Sequence, residues 1–298
     1  MIDILLATYN GEKFLENQLL SIISQNFKDW RLVVHDDSSS DNTVAILRKY
    51  QSLDSRIYII EDGVVCQSAA KNFLHLLSYA TSEYIIFCDQ DDIWFESKLQ
   101  VLFDLIKLES QPAAAYCNAY AYNGINITKN KITLYERDSL ENSLFLNGGI
   151  QGCSLMFNRA LLNIVMDFPD DIFMHDHFIT MAAVSFGKVI YSDHSLMLYR
   201  QHANNVTGNV PITTLDRIRS FIKTDVPIID RHHYEANKSF YIKYRQKLTP
   251  YQDTIFKAYL RFPEMNFVRK IFTIIRYNFR IGDHKGFLLL KILFKRAI

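Results

Sequence analysis

Over roughly the first 110 residues, apolar runs short enough for strands alternate with stretches of helical periodicity, and each run stops at a turn-forming or acidic cluster. Residues 2–7 run into Thr8-Tyr9-Asn10-Gly11, followed by a helical pattern to about Gln25. Residues 30–35 run into Asp36-Asp37-Ser38-Ser39-Ser40-Asp41-Asn42-Thr43, with Asp41 a candidate cap for a helix over 43–50. A strand over 56–61 leads through Gly63 to a helix over 68–79, and a strand over 83–88 precedes a helix over 95–110. This alternation predicts an α/β fold, a mostly parallel sheet with helices on both faces. Such sheets bind ligands beyond the carboxyl ends of their strands.

The last of these strand ends is the most demanding. Tyr84-Ile85-Ile86-Phe87-Cys88 gives way to Asp89-Gln90-Asp91-Asp92-Ile93-Trp94, three carboxylates within four residues. Alternation along an extended segment puts Asp89 and Asp91 on one side, where their charges repel. Mg2+ or Mn2+, with hard oxygen ligands, relieves that repulsion and keeps positions open for phosphate oxygens. The blander alternative is a solvated turn in which Asp92 only caps the following helix. Thr8-Tyr9-Asn10, Asp36-Asp37-Ser38 and the acidic run each follow a strand, so three loops are expected to meet along one sheet edge. That convergence favours the metal site. Neither a dinucleotide fingerprint after the first strand nor a P-loop is present, so phosphates would be held through the metal.

Further along, residues 113–122 read as a strand, and the polar segment 123–142 as a long loop of the kind that covers an active site. Gly148-Gly149 allows close backbone approach or simply turns the chain before an apolar strand. Met174-His175-Asp176-His177 opens a helix that closes at Gly187, with Asp176 either its cap or a general base. Two short strands are expected at 188–191 and 196–199. Past them, Arg200 and His202 are candidates to face a diphosphate and a metal.

The chain of 298 residues, 49% hydrophobic, is long enough for a sizeable core. Its net charge of +1 gives no reason to expect nucleic acid. Cys66, Cys88, Cys117 and Cys153 stand singly without metal or redox spacing, which predicts reduced thiols in a cytoplasmic protein. No basic region followed by a long apolar stretch opens the chain, so neither a signal peptide nor a spanning helix is expected.

Taken together, Leu5-Leu6-Ala7-Thr8-Tyr9-Asn10-Gly11, the Asp36–Thr43 loop, Asp89-Gln90-Asp91-Asp92-Ile93-Trp94 and Met174-His175-Asp176 resemble the motifs of inverting family 2 glycosyltransferases of the GT-A fold, in the same order. The acidic motif with the later Tyr199-Arg200-Gln201-His202 and Asn205 is similar to bacterial rhamnosyltransferases that build surface polysaccharides from dTDP-L-rhamnose. The resemblance covers roughly residues 1–208. It implies a nucleoside pocket lined by Thr8, Tyr9 and Asp37, with Asn10 on the same donor loop. It also implies Asp89 by the ribose or diphosphate, Asp91 as principal metal ligand, His202 as a second metal candidate, and Lys71 and Arg200 as diphosphate contacts. Asp176 matches the family's base. Where the family often has Asn-x-Gly before its third helix, this chain has Cys66-Gln67-Ser68. The chemistry is consistent with these residues: a leaving diphosphate needs a Lewis acid, an attacking hydroxyl needs a base, and a single displacement inverts the anomeric centre.

From Arg261 onward, nine Lys and Arg stand against Glu264 and Asp283, a local charge of about +7, interleaved with Phe267, Ile271, Phe272, Ile275, Phe279, Phe287, Leu288, Leu290 and Phe294. The chain is therefore read as a catalytic domain over 1–208 and a helical C-terminal region over 209–298. Amphipathic helices of this kind either lie on an anionic membrane, as a peripheral protein on its inner face, or pack on protein or in a homodimer. The expected partners are a nucleoside-diphosphate sugar and a glycan or lipid-linked acceptor. The alternatives are a UDP-hexose donor, a nucleotidyltransferase (which lacks its Gly-rich basic loop here) and a non-catalytic carbohydrate or lipid-carrier binding module.

Overall fold

A computed structural model describes residues 1–169, 172–201, 226–282 and 284–298. The expected α/β alternation opens the fold: β1 (Ile2–Thr8), α1 (Leu15–Ile23), β2 (Trp30–Asp36), α2 (Thr43–Leu53), β3 (Ile57–Ile59), α3 (Ala69–Leu77) and β4 (Tyr84–Cys88). There follow β5 (Ile93–Trp94), α4 (Lys98–Ile106), β6 (Ala113–Tyr122), β7 (Ile127–Lys131), α5 (Leu140–Ser143), β8 (Leu155–Asn158), α6 (Arg159–Val165), α7 (His175–Phe186) and β9 (Lys188–Arg200). The C-terminal helices are α8 (Arg231–Tyr244), α9 (Pro250–Arg261), α10 (Phe267–Arg276) and α11 (Lys285–Phe294).

The sheet runs β3-β2-β1-β4-β8-β6-β9-β5, with β7 pairing on β6. Parallel pairing holds for β1 to β4, and β8 then joins β4 antiparallel, so the sheet is mixed. Every residue of β1 is buried, as a central strand covered on both faces demands. Leu15, Leu19 and Ile22 of α1 pack with Trp30, Leu32 and Val34 of β2 and with Leu99, Leu102 and Ile106 of α4.

Three elements depart from the sequence expectations. The segment 123–142 is not one loop: β7 forms a hairpin with β6, which its polar sequence conceals because backbone pairing at an edge needs no apolar face. The two strands expected at 188–191 and 196–199 are the single strand β9, whose middle is exposed and hence polar. The two-residue β5 pairs antiparallel with β9, Ile93 opposite Leu198 and Trp94 opposite Met197.

By packing, the chain forms two compact units. One comprises Met1–Ile132, Gln151–Met166 and the described part of Ile190–Val210, and holds the sheet. The other comprises Thr133–Ile150, Asp167–Val189 and the described part of Pro211–Ile298. Its core is aromatic: the Phe145 ring lies 5.4 Å from Tyr259, 4.9 Å from Phe262 and 4.9 Å from Phe279.

Candidate functional site

In the sheet unit, the parallel register sets Thr8 beside Asp36 at the carboxyl ends of β1 and β2. The Thr8 hydroxyl donates to Asp36 Oδ1 at 2.8 Å, and Ser39 supplies its hydroxyl at 2.6 Å and its N–H at 2.8 Å to the same carboxylate. Asn10 and Ser38 take positive φ (47° and 64°), and Asn10 Oδ1 accepts the Ser40 N–H. Asp41 accepts the N–H and hydroxyl of Thr43 and the N–H of Glu12. It therefore braces the start of α2 as expected, although Asn42 holds the capping position itself. Burial pushes the Asp41 pKa up, but these donors outweigh it and the net shift is down. Asp37 is buried, and the Cys66 N–H donates to its Oδ1 at 2.5 Å.

The Gln90 side chain ties the acidic run to this network. Tyr9 N–H donates to Gln90 Oε1 (2.9 Å), and Gln90 Nε2 donates back to Tyr9 O (3.0 Å). The expected convergence of the three loops is thus built from hydrogen bonds. Glycine at position 11 leaves room for that lash, because a Cβ there would stand 2.2 Å from Gln90 Oε1 and push the Gln90 side chain aside.

Asp92 does not cap α4, whose N-terminal flank is Ser97. It is fully buried; its Oδ1 accepts the Arg200 N–H at 3.0 Å, while its Oδ2 meets no N–H or O–H donor and the weakly donating Cys153 thiol is the other group against the carboxylate. Burial, followed by the charges of Asp91 and Asp89, drives the Asp92 pKa well above the ordinary carboxylate value. The chain bends at Gln90 and Asp91, so strand alternation does not apply there. The ligand atoms that come within 4.8 Å of one another belong to Asp89, Asp92 and Cys153. Burial pushes the Cys153 thiol far up, leaving carboxylate oxygens as the charged donors. A buried, orphaned carboxylate oxygen among like charges fits a hard divalent cation.

Two cationic side chains frame the acidic loop. The β5–β9 pairing delivers Arg200, whose Nε donates to Asp91 O at 2.7 Å and whose guanidinium stacks over Phe14 (4.5 Å) and Tyr122 (4.8 Å). Lys98 was not singled out by sequence. It is fully buried, with Nζ donating to Cys153 O at 2.6 Å and lying 3.6 Å from the Trp94 ring centroid. Burial lowers its pKa, and the nearby thiols and Asp92 oppose that shift. Its contact with Trp94 joins a strand to the start of a helix, so no helical spacing in the sequence signals it. Lys71 is exposed in the first turn of α3, where its N–H is held by the Ser68 cap. His202 lies outside the described residues.

In the second unit, Asp176 sits in the first turn of α7, its Oδ1 accepting the His177 N–H at 2.6 Å. Gly149 lies against this turn: a Cβ would fall 2.5 Å from His177 N and 2.7 Å from the Asp176 carbonyl carbon. Ile150 N–H donates to Thr180 Oγ1, which donates to Asp176 O. The glycine pair therefore does more than turn the chain. It permits the backbone approach that fixes the Asp176 turn.

The sequence profile described as Glycosyl transferase family 2 matches residues 3–166. A dTDP-rhamnosyl transferase of Shigella flexneri (RfbG) is 33% identical over 68% of this chain and 73% of its own. An Escherichia coli UDP-Glc:alpha-D-GlcNAc-diphosphoundecaprenol beta-1,3-glucosyltransferase (WfgD) is 31% identical over 55% of this chain and 62% of its own. Among solved structures, S. aureus TarS with UDP-GlcNAc superposes with a TM-score of 0.61 at 15% identity, covering 93% of this chain and 80% of that one. The Pyrobaculum calidifontis mannosyltransferase PcManGT with GDP-Man and Mn2+ does so with 0.58 at 16% identity, covering 97% and 78%. At these identities the structures speak for the fold, and the fold is GT-A.

Proposed function

The chain belongs to glycosyl transferase family 2, and we propose that it is an inverting, divalent-metal-dependent glycosyltransferase. Its favoured donor is dTDP-L-rhamnose, and its acceptor a hydroxyl of a glycan or lipid-linked saccharide in bacterial surface polysaccharide synthesis. The observation that carries this reading is the buried Asp92 carboxylate, one of whose oxygens meets no N–H or O–H donor, flanked by Asp89 and Asp91 at the end of β4. The Shigella flexneri relative favours rhamnose, and the Escherichia coli relative keeps a UDP-hexose as the second reading.

In this reading residues 1–208 carry the donor chemistry and 209–298 form a helical appendage. Thr8, Tyr9, Asn10 and Asp37 hold the nucleoside; Asp91 leads the metal ligands with Asp89 and Asp92 beside it, and His202 is a further ligand. Mn2+ or Mg2+, when bound, supplies the Lewis acid that neutralises the leaving diphosphate. Arg200 and Lys71 add cationic contacts to that diphosphate. Arg200 also holds the acidic loop through its bond to the Asp91 carbonyl. Asp176 accepts the proton of the attacking hydroxyl as the new glycosidic bond forms.

Among the described residues no helix is long and apolar enough to cross a membrane. Val268, Phe272 and Ile275 of α10 are 72%, 62% and 55% exposed on one face, beside Arg269 and Arg276. We read this face as lying on an anionic lipid surface at the cytoplasmic side, where lipid-linked acceptors would be met. Flotation with vesicles containing phosphatidylglycerol checks it: binding that vanishes in Phe272→Glu supports lipid contact, and a concentration-dependent dimer without vesicle binding refutes it.

The donor test is a thermal-shift titration with dTDP, UDP and GDP, with and without Mn2+ or Mg2+. A ligand at 100 times its dissociation constant adds about 2.7 kcal/mol of stability, which such a scan resolves. Metal-dependent stabilisation by dTDP, lost in Asp91→Asn, is expected, with Asp176→Asn still binding dTDP but failing to transfer sugar. Stabilisation by UDP alone selects the second reading. No shift with any nucleotide overturns the donor site and returns the chain to a binding module.

A further inference from the structure

A second group of ligand-type side chains lies in the sheet unit, on different elements from the acidic loop. His35 is at the end of β2, Asp62 in the connection from β3 to α3, and His75 on α3. One ligand atom from each falls within 4.8 Å of the others. His35 Nε2 is 3.6 Å from Asp62 Oδ1, and His75 Nε2 is 2.7 Å from Asp62 Oδ2. The two imidazoles meet edge to face, 4.7 Å apart. Zinc bonds of about 2.0–2.1 Å in a tetrahedron place neighbouring donors about 3.3 Å apart; the two imidazoles address different oxygens of the one carboxylate, and one ligand atom from each residue lies within reach of a common ion after small side-chain shifts.

The surroundings fix how these donors present themselves. Asn72 Nδ2 donates to the His35 carbonyl, which orients the amide, and Asn72 Oδ1 then lies 2.8 Å from His35 Nδ1. An acceptor at that position holds the proton on Nδ1 and turns the lone pair of Nε2 toward Asp62. In that tautomer the Nε2 lone pair faces a carboxylate, which is repulsive unless a proton or a metal cation stands between them. Asp62 is itself tied down: Val64 N–H donates to Oδ1 at 3.0 Å and Tyr79 OH to Oδ2 at 2.8 Å. Burial opposes its ionisation, but these donors and His75 prevail and hold the carboxyl well below its usual range. A pair between His75 and Asp62 alone satisfies one imidazole. It leaves His35 Nε2, in a side chain only 2% exposed, 3.6 Å from the other carboxylate oxygen, too far for a good hydrogen bond and at a distance that an ion between them would close.

We propose that His35 Nε2, His75 Nε2 and the Asp62 carboxylate form a site for a borderline d-block dication such as Zn2+, separate from the Asp89–Asp92 loop, with water completing a tetrahedron. Two imidazoles and one carboxylate are the donor set such ions prefer over Mg2+. Binding leaves the Asn72 contact in place, moves the His75 proton from Nε2 to Nδ1, and joins β2, the β3–α3 connection and α3 through one ion. That connection also carries Cys66, whose N–H holds Asp37. Where Asp37 faces the base, as the proposed donor site has it, the ion braces the nucleoside pocket from behind.

The test uses the full chain, stripped with chelator and titrated with Co2+ and then Zn2+. Wild type and Asp91→Asn should each take up one Co2+ with the intense visible bands of tetrahedral coordination, displaced by Zn2+. His75→Ala should lose the bands while remaining folded by circular dichroism, and Asn72→Ser should weaken binding by about 10–100-fold. Folded wild type with no tetrahedral band, or a band lost in Asp91→Asn and kept in His75→Ala, overturns the proposal. Should His75→Ala not fold, the Co2+ spectra of wild type and Asp91→Asn decide between these outcomes. Because Co2+ uptake is read without nucleotide, failure of the donor reading leaves this result standing.

Discussion

The loops after β2 and β4 end strands of the same sheet, both are acidic, and they satisfy their carboxylates in opposite ways. Asp36 and Asp41 are surrounded by hydroxyl and backbone N–H donors from Thr8, Ser39, Thr43 and Glu12. Such a loop is complete without a ligand and can serve as a rigid cradle. Asp92 is buried more deeply, takes one backbone N–H, and faces the charges of two more carboxylates. That loop is complete only with a proton or a cation. Acidic residues at a strand end therefore play two parts, and the number of donors around each one distinguishes them.

The largest effect expected from this contrast is in Asp92→Asn. Turnover should fall by at least about 10²-fold, because a neutral amide cannot replace an anionic ligand for the metal. The metal-free variant should nonetheless be as stable as wild type or more so, since the amide spares the folded state both the burial of a charge among like charges and the proton uptake that avoids it. A Tm measured with and without Mn2+ checks both parts, and a large loss of metal-free stability would sink the contrast. The same carboxyl sets a pH dependence. Its folded pKa is raised, so the metal-free folded state holds a proton that the unfolded chain has released above about pH 4. That contribution to stability is present at low pH and is lost as pH rises through the raised pKa. Metal binding expels the proton, so the Tm gain from Mn2+ should widen with rising pH in wild type and stay flat in Asp92→Asn.

Next in size is Asp36→Asn. One amide oxygen cannot serve the Thr8 hydroxyl, the Ser39 hydroxyl and the Ser39 N–H together, and the amide NH2 would face a donor. A loss of about 1–3 kcal/mol is expected, equal with and without Mn2+. Denaturant midpoints in both conditions measure it, and a loss that appears only with metal would move Asp36 into the metal-bound role.

The sequence made the first four strands legible because each is an apolar run closed by turn residues, and it made the acidic motif legible because its charges are adjacent. It could not show which carboxylate is buried. Asp92 as a helix cap and Asp92 as an unpaired core acid have the same local sequence, and only the β5–β9 pairing that brings Arg200 alongside separates them. Lys98 was hidden for a related reason: a lysine in the first turn of a helix reads as solvated until Trp94 and Cys153 are seen to enclose it. The Gly149 contact with the Asp176 turn joins residues 27 positions apart and has no signal in periodicity.

The smallest expected effect concerns Gln90, the acidic-loop side chain that holds the β1 loop, which in turn bonds the loop after β2. In Gly11→Ala the new Cβ would meet the end of the Gln90 side chain at 2.2 Å. Gln90 is flexible there and swings away, giving up its paired hydrogen bonds with the Tyr9 backbone. Both bonds are exposed, so stability should fall by no more than about 1 kcal/mol. The Gly11 N–H bond to Thr43 Oγ1 remains, and with it the fold of the β1 loop. The cradle and the acidic loop then persist but lose their mutual register, so nucleotide affinity should drop by less than about tenfold while Mn2+ affinity stays the same. Gln90→Ala should reproduce the same pair of numbers, since it removes the same two bonds without adding a Cβ. If Gly11→Ala weakens Mn2+ binding and Gln90→Ala does not, the glycine acts on the acidic loop directly, and the two loops are coupled by more than that amide.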